Sequence, residues 1–200
     1  MTQILLLCIL GALLELDTTY AFQLTFSRGI IAGPLLSLIT GDLMTGLQVG
    51  VFTELIFIDI SPLGGLLPPS GAVCCTLTMA LCSLGIPTYF AFFFGVIGAV
   101  LFSVCEVFVR KHRSVWLARQ EYKMTHTPGY LRIVVIKALA LSFFMTLAFV
   151  LFYSAVVGGA FARLLPFLPD KLHLASKFAF MAVPWIGLAT LVSTFRLKAR

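Results

Sequence analysis

The sequence predicts an all-α integral membrane protein, a polytopic helical bundle that contains re-entrant or broken helical hairpins. Apolar residues make up 60% of the 200-residue chain and charged residues only 11%, whereas about a quarter of a soluble domain is charged. This length allows about six segments of the ~20 apolar residues that cross a bilayer. Residues 28–70 combine apolar runs with carboxylates, glycines and prolines, which indicates helices interrupted at membrane depth. We expect a single membrane domain, residues 1–200.

The net charge of +6 indicates membrane topology rather than nucleic-acid binding. The basic residues concentrate in residues 110–132 and at the C-terminus, and cytoplasmic segments of membrane proteins are rich in Lys and Arg. We therefore predict a cytoplasmic basic loop at 110–132, with a short amphipathic surface helix that ends at residues 127–129, and a cytoplasmic C-terminus. The five cysteines show no spacing typical of a metal site, so we expect small buried side chains and no metal.

The first apolar run, residues 1–23, predicts a membrane helix rather than a signal peptide. It has no basic start, and Glu15 and Asp17 stand where a cleavage site would need small residues. We expect both acids to be solvated at the membrane interface. A role in a pathway through the membrane is the alternative.

Residues 30–60 predict a re-entrant hairpin, because two half-length apolar pieces flank the turn GDLMTG at 41–46. Asp42 can cap the second helix by accepting backbone N–H groups, with direct ligand contact as the alternative. Gly46, Gly50 and Glu54 recur at intervals of four, so they share one helix face. The glycines predict close helix packing, and a buried Glu54 beside them has room for a polar partner or a small polar ligand. A purely structural hydrogen bond is the other interpretation of Glu54.

The apolar, proline-rich residues 59–70 predict a loop packed into the protein, either as the lip of a binding site or as a plain connector. Residues 71–84 are too few to span a bilayer, whereas the runs 88–109, 133–157 and 172–197 are long enough. Residues 158–170 contain prolines and predict a loop on the far side of the membrane.

The run RGIIAGPLLSLITGDLMTGLQVGVFTEL and the loop rich in Gly and Pro that follows resemble the IIC subunit of mannose/sorbose-type phosphotransferase-system (PTS) sugar permeases. That family has an Arg, an apolar stretch, a GD-x-x-TG turn, a glycine and a Glu at this spacing, then a loop ending in Pro-Asp. The resemblance is strong over residues 12–72 and weaker over most of the remainder. The matching residues are Arg28, Gly41, Asp42, Thr45, Gly46, Gly50 and Glu54.

The resemblance implies a subunit that binds a hexose-type sugar at membrane depth and passes it across for phosphorylation by a phosphohistidine of the IIB subunit. IIA, and ultimately phosphoenolpyruvate, recharges IIB. The expected partners are these cytoplasmic subunits, a IID membrane subunit and the lipid bilayer, in a complex expected to be a homo-oligomer in the bacterial cytoplasmic (inner) membrane. A IIC subunit is not catalytic by itself, so the resemblance implies no catalytic residue and no cofactor.

By the same resemblance, the substrate-binding residues are Glu54, Asp42, Thr45 and Ser70, and the loop 61–70 closes the site. Turn geometry and packing are assigned to Arg28, Gly41, Gly46 and Gly50. Two departures from the family pattern stand out. Pro69-Ser70 replaces Pro-Asp, a hydroxyl for a carboxylate, which bears on the identity of the sugar. The chain also stops after the run 172–197, where family members continue, so we expect a short or divergent member.

Two other functions fit the same residues. The first is a non-transporting structural or assembly subunit derived from that family, which stabilises a partner in the membrane. The second is an ion or proton channel that uses Asp42 and Glu54 as a relay. A relay requires acids through the whole membrane, and neither residues 88–105 nor the residues after Asp170 contain one.

Overall fold

The computed structural model describes residues 2–19, 24–58, 60, 67–126 and 129–198. Helix accounts for almost all of them, and no β-strand occurs within these ranges, so the all-α prediction is confirmed. The helices, in chain order, are α1 (Thr2–Thr19), α2 (Gly29–Thr40), α3 (Leu43–Phe57), α4 (Gly71–Ser83), α5 (Thr88–His126), α6 (Tyr130–Tyr153), α7 (Gly159–Leu164) and α8 (Asp170–Lys198).

Three stretches of the described chain are long and apolar enough to cross a membrane, namely Thr88–Arg119, Tyr130–Phe167 and Asp170–Ser193. They contain or overlap the three crossings predicted after residue 87. Helices α2, α3 and α4 are apolar but shorter. The molecule is therefore an all-α membrane protein in which three long helices accompany several half-length ones.

Helix α4 lies at the centre of the structure. Ten consecutive residues, 72–81, are buried, and α1, α2, α3 and α5 all pack against it. Its hydroxyl groups bond to the helix itself: Thr76 Oγ1 donates to the carbonyl of Ala72 at 2.7 Å and Thr78 Oγ1 to that of Cys74 at 2.8 Å. An apolar segment too short to span the bilayer is thus accommodated by surrounding it with protein.

An aromatic cluster joins α3, α5 and α8. The ring centroid of Phe52 lies 4.9 Å from that of Phe180 and 6.1 Å from that of Phe92, and the Phe92 and Phe180 centroids are 5.3 Å apart. These edge and tilted contacts are the arrangements that aromatic rings prefer, and each contributes about 0.5–1.5 kcal/mol beyond burial. The hairpin of α2 and α3 is thereby fixed to the long crossing helices.

Two predicted loops are wrong, because both are helical. Residues 110–126 continue α5, so the predicted loop with a separate surface helix is the end of one 39-residue helix. The stretch 110–126 has no Gly or Pro and is rich in strong helix formers. Residues 158–167 likewise continue α6 through a π-helical turn (Ser154–Gly158), α7 and a 3-10 turn (Leu165–Phe167), and the chain leaves the helix only at Leu168 and Pro169, before α8 begins. The charged residues did not end α5, and Pro166 lies within the helical path, which ends only before Pro169.

The cysteines follow the prediction in part. Cys8, Cys74 and Cys75 are buried and Cys82 is partly buried, but Cys105 is exposed on the outer face of α5. Because α5 is apolar at that position, this thiol faces the region that lipid occupies around a crossing helix.

Candidate functional site

The helical hairpin of α2 and α3 is held together by backbone contact at four glycines. A Cβ built on Gly33 would lie 2.9 Å from the Cα of Gly50, and one built on Gly46 would lie 2.6 Å from the carbonyl oxygen of Gly33. At the other end of the hairpin, a Cβ on Gly50 would lie 3.1 Å from the carbonyl carbon of Gly29. Side chains at these positions would force the helices apart, so Gly46 and Gly50 lie where α2 and α3 pack backbone to backbone.

The turn between the two helices follows the expected capping chemistry. Gly41 ends α2 in the left-handed conformation, with φ of 80°, which favours glycine. Asp42 caps α3: its carboxylate accepts the backbone N–H of Thr45 at 3.1 Å and the Thr45 hydroxyl at 2.5 Å. These bonds, chiefly the one from the hydroxyl, hold the pKa of the exposed Asp42 below its usual value. Asp42 and Thr45 are thus hydrogen-bonded to each other in the turn.

Glu54 lies at the opposite end of the hairpin, where it meets Arg28. The Arg28 Nη1 atom donates to Glu54 Oε2 across 3.4 Å, with 66% of the Arg28 side chain and 25% of the Glu54 side chain exposed. Glu54 is therefore half-buried rather than enclosed. A pair this open contributes about 0–1 kcal/mol to stability, so its two charged groups remain accessible to a ligand.

Ser70 connects the same end of the hairpin to α1. Its hydroxyl donates to the Glu15 carboxylate and accepts the backbone N–H of Val73 at 3.3 Å, which caps α4. The start of α4 also touches the start of α2, because a Cβ on Gly71 would lie 2.8 Å from the Gly29 nitrogen. Ser70 is thus buried directly behind the residues that carry Arg28.

Glu15 and Asp17 are both buried, so the prediction that they are solvated is wrong. Glu15 is 5% exposed and Asp17 7%. Asp17 accepts the backbone N–H groups of Leu24 at 2.9 Å and Phe26 at 2.7 Å, which ties the connection before α2 back onto α1. Both side chains replace water with protein donors, as a buried polar group requires.

A narrow cavity with both polar and apolar walls adjoins Glu15. Its volume of about 10 Å³ matches a single ordered water. Glu106 also lines it and accepts from Arg110, with Nε to Oε1 at 3.0 Å. The cavity walls are Glu15, Leu16, Phe102, Glu106, Val109, Ser142, Met145 and Thr146.

The structure brings together three of the sequence-predicted residues, Arg28, Glu54 and Ser70, around the start of α2, the end of α3 and the start of α4. It does not bring Asp42 and Thr45 to that place. The twelve residue steps from Asp42 to Glu54 correspond to about 18 Å along α3, so a single small ligand does not contact both. Of the predicted closing loop, residues 61–66 lie outside the described residues.

Sequence reasoning missed two members of this region. Arg28 was assigned to packing, although its guanidinium is the partner of Glu54. Glu15 was assigned to solvent, although it is the partner of Ser70. Both pairings join residues more than 20 positions apart, which helical periodicity does not reveal. The sequence did offer one signal: an unpaired carboxylate in an apolar chain costs free energy, so each carboxylate needs a hydrogen-bond donor.

The fold and this region define a class of protein: a polytopic α-helical membrane protein with a broken helical hairpin and paired charges at one end of it. The comparison with known families is more specific. The model of the PTS sorbose-specific IIC component matches residues 1–199, and the chain belongs to that family.

A local relative gives the same assignment. A 43-residue stretch, 22% of this chain, is 42% identical to a protein of Escherichia coli (strain K12) named "Putative N-acetylgalactosamine permease IIC component 2". The matched stretch spans 32% of that protein's length. The predicted membership in the mannose/sorbose-type IIC family is confirmed.

Proposed function

We propose that this chain binds a hexose-type sugar and carries it across the membrane as the IIC subunit of a PTS permease. The observation that supports the proposal is the half-exposed Arg28–Glu54 pair on a backbone-packed hairpin, in a chain that matches the IIC family over residues 1–199.

The chemistry of the pair suits a polyol. An ionised Glu54 offers only acceptors and the Arg28 guanidinium only donors, whereas each sugar hydroxyl both donates and accepts. The 3.4 Å separation is long for a charged hydrogen bond, so a hydroxyl can bridge the two groups without breaking a strong interaction. Ser70 supports the site from behind, through the cap of α4 and the start of α2.

In this proposal Asp42 and Thr45 shape the hairpin turn and do not contact the same sugar ring as Glu54. They remain candidates for substrate contact at the other end of the hairpin, where both lie at the protein surface. Of the predicted closing loop 61–70, the described residues 67–70 border the site next to Ser70 in this proposal.

The proposed partners follow from the family: a IID membrane subunit, with IIB as the phosphate donor and IIA recharging it. We place the protein in the bacterial inner membrane, with the basic end of α5 and the C-terminus in the cytoplasm. The ends of α5 and α8 lie on one side in this arrangement, since the start of α5 meets the start of α8 through a 3.0 Å contact between Tyr89 Oη and His173 Nδ1.

The test is sugar uptake by cells that contain the complete set of partner subunits, with Glu54→Gln and Arg28→Gln compared with the wild type across candidate hexoses. A hydrogen bond to a charged group contributes about 1.5–3 kcal/mol, so we expect uptake at limiting sugar to fall about 10- to 150-fold. Lys177→Gln, an exposed change on α8, is the control. Equal membrane levels and melting temperatures would show that folding is intact.

Uptake of every hexose at the wild-type rate in Glu54→Gln would refute the assignment of the site. If the wild-type chain supports no uptake but still co-purifies with IID, before and after Glu54 is replaced, the structural or assembly function is correct instead.

A further inference from the structure

The C-terminal part of α5 exposes a face that combines basic and aromatic side chains. Lys111, His112, Val115, Trp116 and Arg119 line an open groove of about 420 Å³ along this face. They recur at helical spacing, so they lie on one side of the helix. Val115 is 54% exposed and Trp116 36%, and the sugar site described above uses none of these residues.

When residues 88–109 cross the hydrocarbon core, the groove lies at the depth of the lipid headgroups. Residues 88–109 rise about 33 Å along α5, close to the ~30 Å of the hydrocarbon core. Lys111 therefore follows directly at the interface, and Arg119 is about 12 Å further along the helix. Helical side chains tilt toward the N-terminus, which at this end of α5 is toward the bilayer, so Arg119 points back to the headgroup layer.

We propose that this groove binds the headgroup of an anionic phospholipid. Lys111 and Arg119 supply positive charge for the phosphate, and Trp116 and Val115 pack against the glycerol region and upper acyl chain. Exposed Arg132 and Lys137 at the start of α6 add to the positive field. A Trp at this depth is typical of a membrane interface, and this favours a lipid over an acidic protein, which would approach from beyond the headgroups.

The chain contains two tryptophans, so the experiment uses the full-length protein with Trp185→Phe, in which Trp116 is the tryptophan that remains. It is reconstituted in vesicles of phosphatidylcholine with increasing brominated phosphatidylglycerol, or with brominated phosphatidylcholine. Bromine quenches tryptophan fluorescence on contact, and the ratio of the two quenching curves gives the preference for the anionic lipid. We expect Trp116 to prefer phosphatidylglycerol, and the preference to weaken at high salt.

The decisive variant is Lys111→Gln with Arg119→Gln. Each basic residue near an anionic surface strengthens binding about five-fold, so the preference for phosphatidylglycerol over phosphatidylcholine should fall about 25-fold. The matched control is Lys171→Gln with Lys177→Gln, which removes the same charge from exposed positions at the other end of the crossing helices. Three outcomes would overturn the proposal: an unchanged preference in the first variant, an equal loss in the control, or a Trp116 that neither lipid quenches, which would indicate a protein partner.

Discussion

Replacing Gly50 with alanine tests the backbone contact that holds the hairpin together. The new Cβ would lie 3.1 Å from the carbonyl carbon of Gly29 and 3.4 Å from the Cα of Ile30, with the Gly29 oxygen nearer still. All three atoms are backbone, so no rotamer change removes the clash and α2 must move away from α3. Overpacking of this kind costs about 1–3 kcal/mol.

The same displacement reaches the site. Gly29 is adjacent to Arg28, whose guanidinium is already 3.4 Å from Glu54, so moving α2 outward separates the charged pair. We therefore expect Gly50→Ala to lower sugar uptake as well as stability.

The assay is thermal unfolding of the detergent-solubilised protein together with uptake in cells. For a chain of this size, each 1 kcal/mol shifts the melting temperature by about 2–4 °C, so a decrease of about 2–12 °C is expected. Gly159→Ala is the matched control, because its Cβ meets nothing within 4 Å and its φ of −66° is helical. The higher helix propensity of alanine should leave this variant equal to the wild type or more stable by up to about 1 kcal/mol. Equal melting temperatures for the two variants would refute the close-packing argument.

Further predictions concern the two caps. Ser70→Ala removes the α4 cap, which should lower the free energy of unfolding by about 1 kcal/mol. It also leaves the Glu15 acceptor without its donor, at a further cost of ~1–3 kcal/mol. The control Ser83→Ala loses only a bond to a carbonyl of its own helix and should melt within about 2 °C of the wild type. Asp42→Ala should lower stability by about 1 kcal/mol, whereas Asp42→Asn should retain most of the cap. Because the folded protein lowers the pKa of Asp42, the stability from its charge is present above its ordinary pKa of about 3.9 and is lost as the pH falls below that value. In acid titrations of the unfolding free energy, Asp42→Asn should lack this loss; an identical acid profile in both proteins would contradict it.

The hairpin could be predicted from the sequence because its determinants are local. Gly41 ends α2. The adjacent Asp42 caps α3 by bonding to Thr45, three residues further along, and Gly46 and Gly50 recur at the helical period. Each signal depends on neighbours within four positions, which periodicity and capping rules describe directly. The same rules failed at residues 110–126, where charge suggested a loop but nothing local stopped the helix. They also failed at residues 158–167, where proline suggested a loop but the helical path ended only before Pro169.

The site could be predicted only by residue type. An apolar setting marked Glu54 as a carboxylate that needs a partner, whereas Glu15 was predicted to be solvated. Which donor each one meets depends on how distant helices pack. Arg28 reaches Glu54 only because four glycines allow α2 and α3 to touch, and Ser70 reaches Glu15 only because α4 packs between α1 and α2. These pairings are consequences of the tertiary structure.

The burial of α4 also sets an order for biosynthesis. Ten of its residues face only protein, yet much of the surface that covers them belongs to α5 and α6, which are translated later. When α4 leaves the ribosome, it is too short to span the bilayer by itself, and α5, the helix it packs against most extensively, does not yet exist. Its final position is therefore reached only after α5 has entered the membrane, so truncations that end before α5 should leave α4 accessible to proteases and to the quality-control machinery of the cell.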